Sequence, residues 1–383
     1  MSDRLGAEDD VDGIPPAPLV TGPSNFHTNV HRSAAHLEPA PEDAGRPPSS
    51  GAASTGVVAA AADATPAPRP VAPFVAGIDV GGTKTLAVVV DGRGDAVSRV
   101  LLATDAAGPR GLIATVTEAL VEVAEGAGLS PDGLAAVGIG VPGIVDPRDG
   151  GLLRHAVNLD IGADPVSLGD PVRRLVGGPV TVGNDVNLAA LGAAELFGRS
   201  GNVAYLSIGT GIAAGFVFDG HVFPGTRGVA GEIGHLPVDL YGAICECGQT
   251  GCLETVASGA VIARRWRRPD GSPGDAAGLL AAARAGDATA ITVRDEIFGY
   301  LAWAVALIAQ TVDPELIVLG GGVAEAGPPL LDAMRAALRR RASVSPLLAS
   351  LDLPARVTIV PAGTPLGALG AARAARDLLS PQP

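Results

Sequence analysis

The feature that most constrains how this 383-residue chain can fold is a pattern that occurs twice. Gly77-Ile78-Asp79-Val80-Gly81-Gly82-Thr83 and Leu206-Ser207-Ile208-Gly209-Thr210-Gly211 each carry an apolar strand into a glycine turn, and a second apolar strand follows each turn. A strand that turns on glycine and returns is a hairpin, unlike the strand-to-helix turn of a P-loop. Two such hairpins, about 130 residues apart, predict two related lobes facing one another across a cleft, where a small ligand would bind.

Strands are predicted over residues 75–80, 86–90, 136–141, 180–182, 203–208, 214–218 and 316–319, with helices over 111–127, 186–197, 295–311, 330–341 and 365–379. Strands interleaved with helices indicate an α/β fold. Residues 1–73 differ: they hold 12 prolines and one aromatic, Phe26, without sustained periodicity. Such a segment buries too little apolar surface to offset its ordering entropy, so it is expected to be a disordered extension, with a docking arm as the alternative.

Composition narrows the function. A formal charge of −13 argues against broad attraction to nucleic acid or to an anionic membrane surface, so any phosphate site must be local. No apolar run reaches the length that spans a bilayer, and the amino terminus has no basic-then-apolar signal pattern, so the expected location is cytoplasmic. Lysine occurs once among 27 basic residues, at Lys84, beside the first glycine turn.

In that turn Gly81 and Gly82 let backbone N–H groups approach an anion, Thr83 and Lys84 can donate to phosphate oxygens, and Asp79 can hold Mg²⁺ directly or through water. An ordinary tight turn with one exposed lysine is the plainer alternative. The second turn, Gly209-Thr210-Gly211, and the later Gly320-Gly321-Gly322 shift the balance toward polyphosphate and nucleotide binding. Asn184-Asp185 stands between a strand and a helix. Asp185 is there either the helix N-cap or the acceptor of a proton from an attacking hydroxyl, with Asn184 orienting that substrate.

The three cysteines fall between residues 245 and 252, which suits a metal site in a reducing compartment better than a disulfide framework. With His235 in Gly231-Glu-Ile-Gly-His235, Cys245, Cys247 and Cys252 make a Cys₃His set, which fills a tetrahedral zinc and leaves no open position, as in structural sites. Glu232 and Glu254 flank it and are either acceptors for sugar hydroxyls or solvated surface acids.

The motifs Asp79-Val-Gly-Gly-Thr-Lys84, Asn184-Asp185, Gly231-Glu-Ile-Gly-His235 and Cys245-Glu-Cys-Gly-Gln-Thr-Gly-Cys-Leu-Glu254, in this order, resemble the ROK family of repressors and sugar kinases, especially its bacterial glucokinases. The resemblance runs from about Phe74 to Leu379. It implies an actin-like, ribonuclease-H-like two-lobe ATPase fold with an interdomain cleft. The lobes would be residues 74–184 and 185–364, with the helix over 365–379 packing back on the first and the zinc loop over 235–252 in the second.

The resemblance further implies an ATP:hexose 6-phosphotransferase using Mg²⁺ and structural zinc, with Asp185 as base. Asn158, Asn184, Glu232, His235 and Glu254 would hold sugar hydroxyls, and a homodimer or homotetramer is expected. Fructose, mannose, N-acetylglucosamine or N-acetylmannosamine as substrate, polyphosphate as donor, and a non-catalytic sugar sensor are the alternatives. The chain departs from the family pattern at Val157, where proline is usual, and at Ile212-Ala213-Ala214-Gly215, which is poorer in glycine. The proline-interrupted amino terminus has no helix-turn-helix pattern of the kind the family's repressors carry.

Overall fold

Each predicted hairpin nucleates its own sheet, and the two sheets share one plan. The computed structural model describes residues 71–146, 151–156 and 159–380; the expected extension up to residue 70, and Asn158, lie outside these. In the first sheet β1 (Val75–Val80), β2 (Lys84–Val90) and β3 (Ala96–Ala103) form an antiparallel meander. After α1 (Pro109–Gly126), β4 (Ala136–Val141) joins β1 in parallel. A small hairpin, β5 (Ile144–Asp146) with β6 (Leu152–His155), and α2 (Gly169–Val176) then lead to β7 (Val180–Asn184), which lies parallel to β4. The order is β3-β2-β1-β4-β7.

The second sheet follows α3 (Asp185–Leu196). It comprises β8 (Val203–Ile208), β9 (Ile212–Phe218) and the short β10 (His221–Val222), again antiparallel. Four helices precede its next strand: α4 (Glu254–Ala257), α5 (Gly259–Arg265), α6 (Ala276–Arg284) and α7 (Ala288–Val312). Then β11 (Leu316–Gly320) pairs in parallel with β8. Past α8 (Pro328–Ala342), α9 (Pro346–Ser350) and α10 (Leu353–Arg356), β12 (Val357–Ile359) pairs in parallel with β11. The order β10-β9-β8-β11-β12 repeats that of the first sheet strand for strand.

Both sheets are covered on both faces, so their central strands are apolar throughout instead of alternating. On the outer face of the first sheet Ile78, Val89 and Ile139 pack with Leu112, Val116 and Leu120 of α1. On its inner face Val75, Val88 and Ala136 pack with Ala368, Ala372 and Ala375 of α11 (Leu366–Asp377). That helix lies almost on the strands: a Cβ at Gly77 would strike the Ala368 carbonyl, and one at Gly138 the Ala371 carbonyl. In the second sheet Leu206, Ile208, Ile317 and Leu319 face α4 to α8, while Tyr205 and Val318 face α3. Thus α3 and α11 each cover one sheet's inner face and cross one another, with Gly370 against the Leu188 carbonyl.

Several boundaries differ from the sequence reading, for local reasons. The helix predicted from residue 295 begins at Ala288, because Asp287 caps it by accepting from the Ala290 N–H at 2.8 Å. The ordered chain begins before Phe74: the Val71 N–H donates to Asp91 Oδ2 at 3.1 Å. β3, the β5–β6 hairpin, β10, β12 and the helices α2, α4, α5, α6, α9 and α10 were not predicted.

Candidate active site

The inner ends of both hairpins, the start of α3 and a loop held against β9 bring their polar side chains to one place. By the period-2 alternation of a strand, Asp79 lies on the same face of β1 as Val75 and Gly77, toward α11. Its carboxyl abuts Gly367 in the first turn of that helix. Burial, then the nearby Asp185 charge, pushes the Asp79 carboxyl up to about 7.

Asn184, not Asp185, caps α3: its Oδ1 accepts from the Asn187 N–H at 3.0 Å. Its amide hydrogens go to the Gly143 carbonyl and to Asp185 Oδ1, both at 3.1 Å. Asn184 therefore fixes the neighbouring carboxylate and keeps one lone pair of Oδ1 for a ligand. Burial pushes the Asp185 carboxyl up to about 6; the backbone N–H groups of Val186 and of Asp185 itself oppose the rise, and the Glu232 charge adds to it. Among the described residues, no lysine or arginine forms an ion pair with Asp79 or Asp185. Two neighbouring carboxylates without a counter-charge suit both a divalent cation and a proton-accepting role.

Glu232 and His235 sit on a single 3₁₀ turn whose two glycines are dictated by contact. Gly231 (φ 95°) and Gly234 lie flat on β9, where a Cβ would strike the Ala214 and Ile212 carbonyls respectively. The Ala214 N–H donates to the Gly231 carbonyl at 2.8 Å. The turn thereby aims Glu232 toward Asp185 and its carboxyl is raised, by burial first, with His235 opposing and Glu254 adding. His235 Nε2 stands 3.9 Å from Glu232 Oε2, and Nδ1 3.5 Å from Glu254 Oε1.

His235, Cys245, Cys247 and Cys252 converge with their ligand atoms within 4.8 Å of one another. Cys245 Sγ is 3.6 Å from His235 Nδ1, and Cys247 Sγ is 3.7 Å from Cys252 Sγ. Ligands about 2.0–2.3 Å from a tetrahedral zinc stand roughly 3.3–3.8 Å apart, so these two pairs already match that ion and the widest spacing in the set must close by about 1 Å to hold it. The Cys247 thiol is already lowered to about 7, chiefly by the Gln249 backbone N–H, whereas burial raises Cys245. Glu254 Oε1 accepts from Cys245 Sγ at 3.0 Å, which puts this carboxylate directly behind the cluster.

The remaining predicted residues are placed as follows. Gly81 closes the first turn, its N–H donating to the Lys84 carbonyl at 2.9 Å, with Gly82 half-buried and Thr83 and Lys84 exposed at the rim. In the second turn the Gly209 N–H donates to the Gly211 carbonyl at 2.9 Å, and Thr210 is exposed. Within the glycine triplet, Gly320 is required by the Tyr205 ring and Gly321 by Ile208, whose carbonyl a Cβ would meet at 2.6 Å. Only Gly322 leaves open space beside it.

Tyr205 is the site residue that sequence reasoning missed. It is buried on the inner face of β8, and its hydroxyl is pushed up to about 12 by burial, with the Asp79 and Asp185 charges adding to the rise. Its position on the face of β8 opposite Leu206 and Ile208 is the signal that could have found it.

Two sheets of one topology, each with a glycine hairpin turned toward a shared carboxylate cluster, define a protein of the actin-like ATPase fold. The chain belongs to the ROK family, whose model matches residues 75–377. It is 38% identical over 275 residues to a glucokinase of Halalkalibacterium halodurans, a match covering 67% of this chain and 82% of that one. Among solved structures, a ROK family glucokinase from Streptomyces griseus in complex with glucose and AMPPNP aligns with TM-score 0.66 at 31% identity, covering 80% of this chain and all (100%) of that one. A ROK hexokinase from Thermus thermophilus aligns with TM-score 0.65 at 32% identity, covering 80% and 99%.

Proposed function

We propose that this chain is an ATP-dependent hexose kinase that phosphorylates the 6-hydroxyl of glucose. The observation that carries the reading is Asp185: a carboxylate raised to about 6, held by Asn184 at the first position of α3, between the two glycine hairpins. A base of that pKa is ionised at neutral pH and still accepts a proton as an attacking hydroxyl loses it. The glucokinase relatives support the sugar and the AMPPNP complex supports the nucleotide.

In the reaction the sugar hydroxyl oxygen bonds to the γ-phosphorus, the bond from that phosphorus to the β–γ bridging oxygen breaks, ADP leaves, and the hydroxyl proton passes to Asp185. Backbone N–H groups of the turns at 81–84 and 209–211, together with Lys84, offset the charge on the phosphoryl oxygens. Asn184, Glu232, His235 and Glu254 orient the sugar by accepting from or donating to its hydroxyls. Asp79 would hold Mg²⁺, which when bound supplies positive charge to the polyphosphate. His235, Cys245, Cys247 and Cys252 would hold zinc, which supplies a cross-link that stiffens the loop presenting His235 and Glu254.

The two lobes of this reading are residues 74–184 and 185–364, with α11 returning to the first. The protein would work in the cytoplasm as a homodimer or homotetramer. Incubation with ATP, Mg²⁺ and a panel of hexoses, reading ADP release, tests the reading. Selective turnover of glucose supports it, preference for another hexose replaces the substrate, and no turnover with any hexose sinks the kinase.

A further inference from the structure

The metal loop does not end at the sugar side of the site. Directly after Cys252 the chain runs through a short, tightly bonded segment: Thr255 Oγ1 donates to the Cys252 carbonyl at 2.7 Å, and the Ala257 N–H donates to the Leu253 carbonyl at 3.1 Å. Leu253, Ala257 and Ser258 are all buried, and Ser258 Oγ caps α5 by accepting from the Val261 N–H at 3.4 Å. This segment meets the second glycine hairpin at two points. Glu254 Oε2 lies where a Cβ on Gly211 would stand at 2.7 Å from it. The Gly259 N–H donates to the Gly209 carbonyl at 2.7 Å. Gly259 also packs beside Val323, the residue following the glycine triplet, whose Cγ2 would lie 3.1 Å from a Cβ at 259.

One segment of eight residues, Cys252 to Gly259, therefore runs from a candidate metal ligand to the second glycine hairpin and to Val323 beside the glycine triplet. Backbone and short side-chain bonds tie the segment along its length, and Leu253, Ala257 and Ser258 are buried, so a shift at Cys252 is passed on to Gly209 instead of being absorbed by side-chain rotation. We propose that the metal cluster sets the nucleotide affinity of the second hairpin through Gly259, which acts as a positioning residue for the turn at 209–211. The proposal rests on the kinase reading above, and extends the metal's role from the sugar side to the phosphate side of the cleft.

Coupling between two binding sites is reciprocal, so one coupling energy can be read from either site. The full chain, loaded with zinc and then stripped by a chelator, is titrated with a non-hydrolysable ATP analogue in the absence of sugar. Stripping is expected to weaken nucleotide binding about tenfold, and the analogue to raise zinc affinity, read by chelator competition, by the same factor. Because stripping can also loosen the loop as a whole, Gly259→Ala in the zinc-loaded chain supplies the second arm. Its Cβ would meet the Gly209 carbonyl at 2.7 Å, so the backbone there must move.

That variant is expected to bind the analogue about tenfold more weakly, while its zinc content and its glucose affinity stay within about twofold of wild type. Equal analogue affinity with and without zinc, or a Gly259→Ala chain that binds it like wild type, overturns the proposal. A zinc-loaded wild-type chain that binds no analogue at all strikes the kinase reading itself, so the two failures are distinguishable.

Discussion

Asp79 and Asp185 are both raised carboxyls, and titration separates the two tasks proposed for them. With Asp185 ionising at about 6, kcat/KM for the sugar should rise with pH up to about 6 and level off above it, because only the ionised carboxylate can take the hydroxyl proton. Replacing the base by Asp185→Asn should lower kcat by on the order of 10³-fold and leave glucose affinity within a few-fold, as steady-state rates and calorimetry would reveal. Asp79 makes a stability prediction of definite sign. Its folded pKa of about 7 lies above the ordinary carboxylate value of 3.8, so the folded protein disfavours the charged form, and the resulting penalty sets in as pH rises past 3.8 and is complete above pH 7. Without Mg²⁺, Asp79→Asn should therefore raise Tm by about 2 °C or more at pH 8 and by much less at pH 4, an outcome that thermal melts at the two pH values decide.

Among the elements, the 3₁₀ turn at Ile233–His235 shows how backbone contact places chemistry. Gly234→Ala would force a Cβ into the Ile212 carbonyl, and the turn must then lift from β9 and carry Glu232 and His235 with it. A displacement of about 1 Å costs on the order of 10²-fold in rate when it falls on positioning groups, so a rise in glucose KM and a fall in kcat are both expected from initial-rate measurements. Gly138→Ala acts elsewhere: it separates α11 from β4 and should cost about 1–3 kcal/mol in urea unfolding, with little change in KM.

On the scale of the whole molecule, two sheets of one topology are joined through the crossing of α3 and α11, backed by an ion pair between Glu195 and Arg376. Asp185 sits at the start of the first of these helices and the Asp79 carboxyl against the start of the second, so a ligand bound between them stabilises the folded state of both halves. Glucose at about 100 times its Kd should add about 2.7 kcal/mol to stability, seen as a rise in Tm by fluorimetry, and Asp185→Asn should retain most of that rise.

The strands flanking each glycine turn were legible because their signals are local: an apolar run, a glycine turn, a second apolar run. The same holds for the Cys₃His spacing, where four ligands lie within 18 residues of one another, from His235 to Cys252. β3 was not legible, since as an edge strand it is half exposed and weakly patterned; nor was α6, whose alanine-rich sequence carries little contrast between its faces. The amino-acid sequence by itself determined the two hairpins, the Cys₃His cluster and the short list of carboxylates. Which of Asn184 and Asp185 caps α3 depended on a carbonyl at Gly143, and the raised Asp79 first on burial and then on a charge 106 residues away, at Asp185. Tyr205 entered the site, and Gly320 and Gly321 became packing residues, only once β8 and β11 lay side by side. Tertiary structure alone settled these points, because burial, electrostatic proximity and the distance between two backbones are properties of space and not of order along the chain.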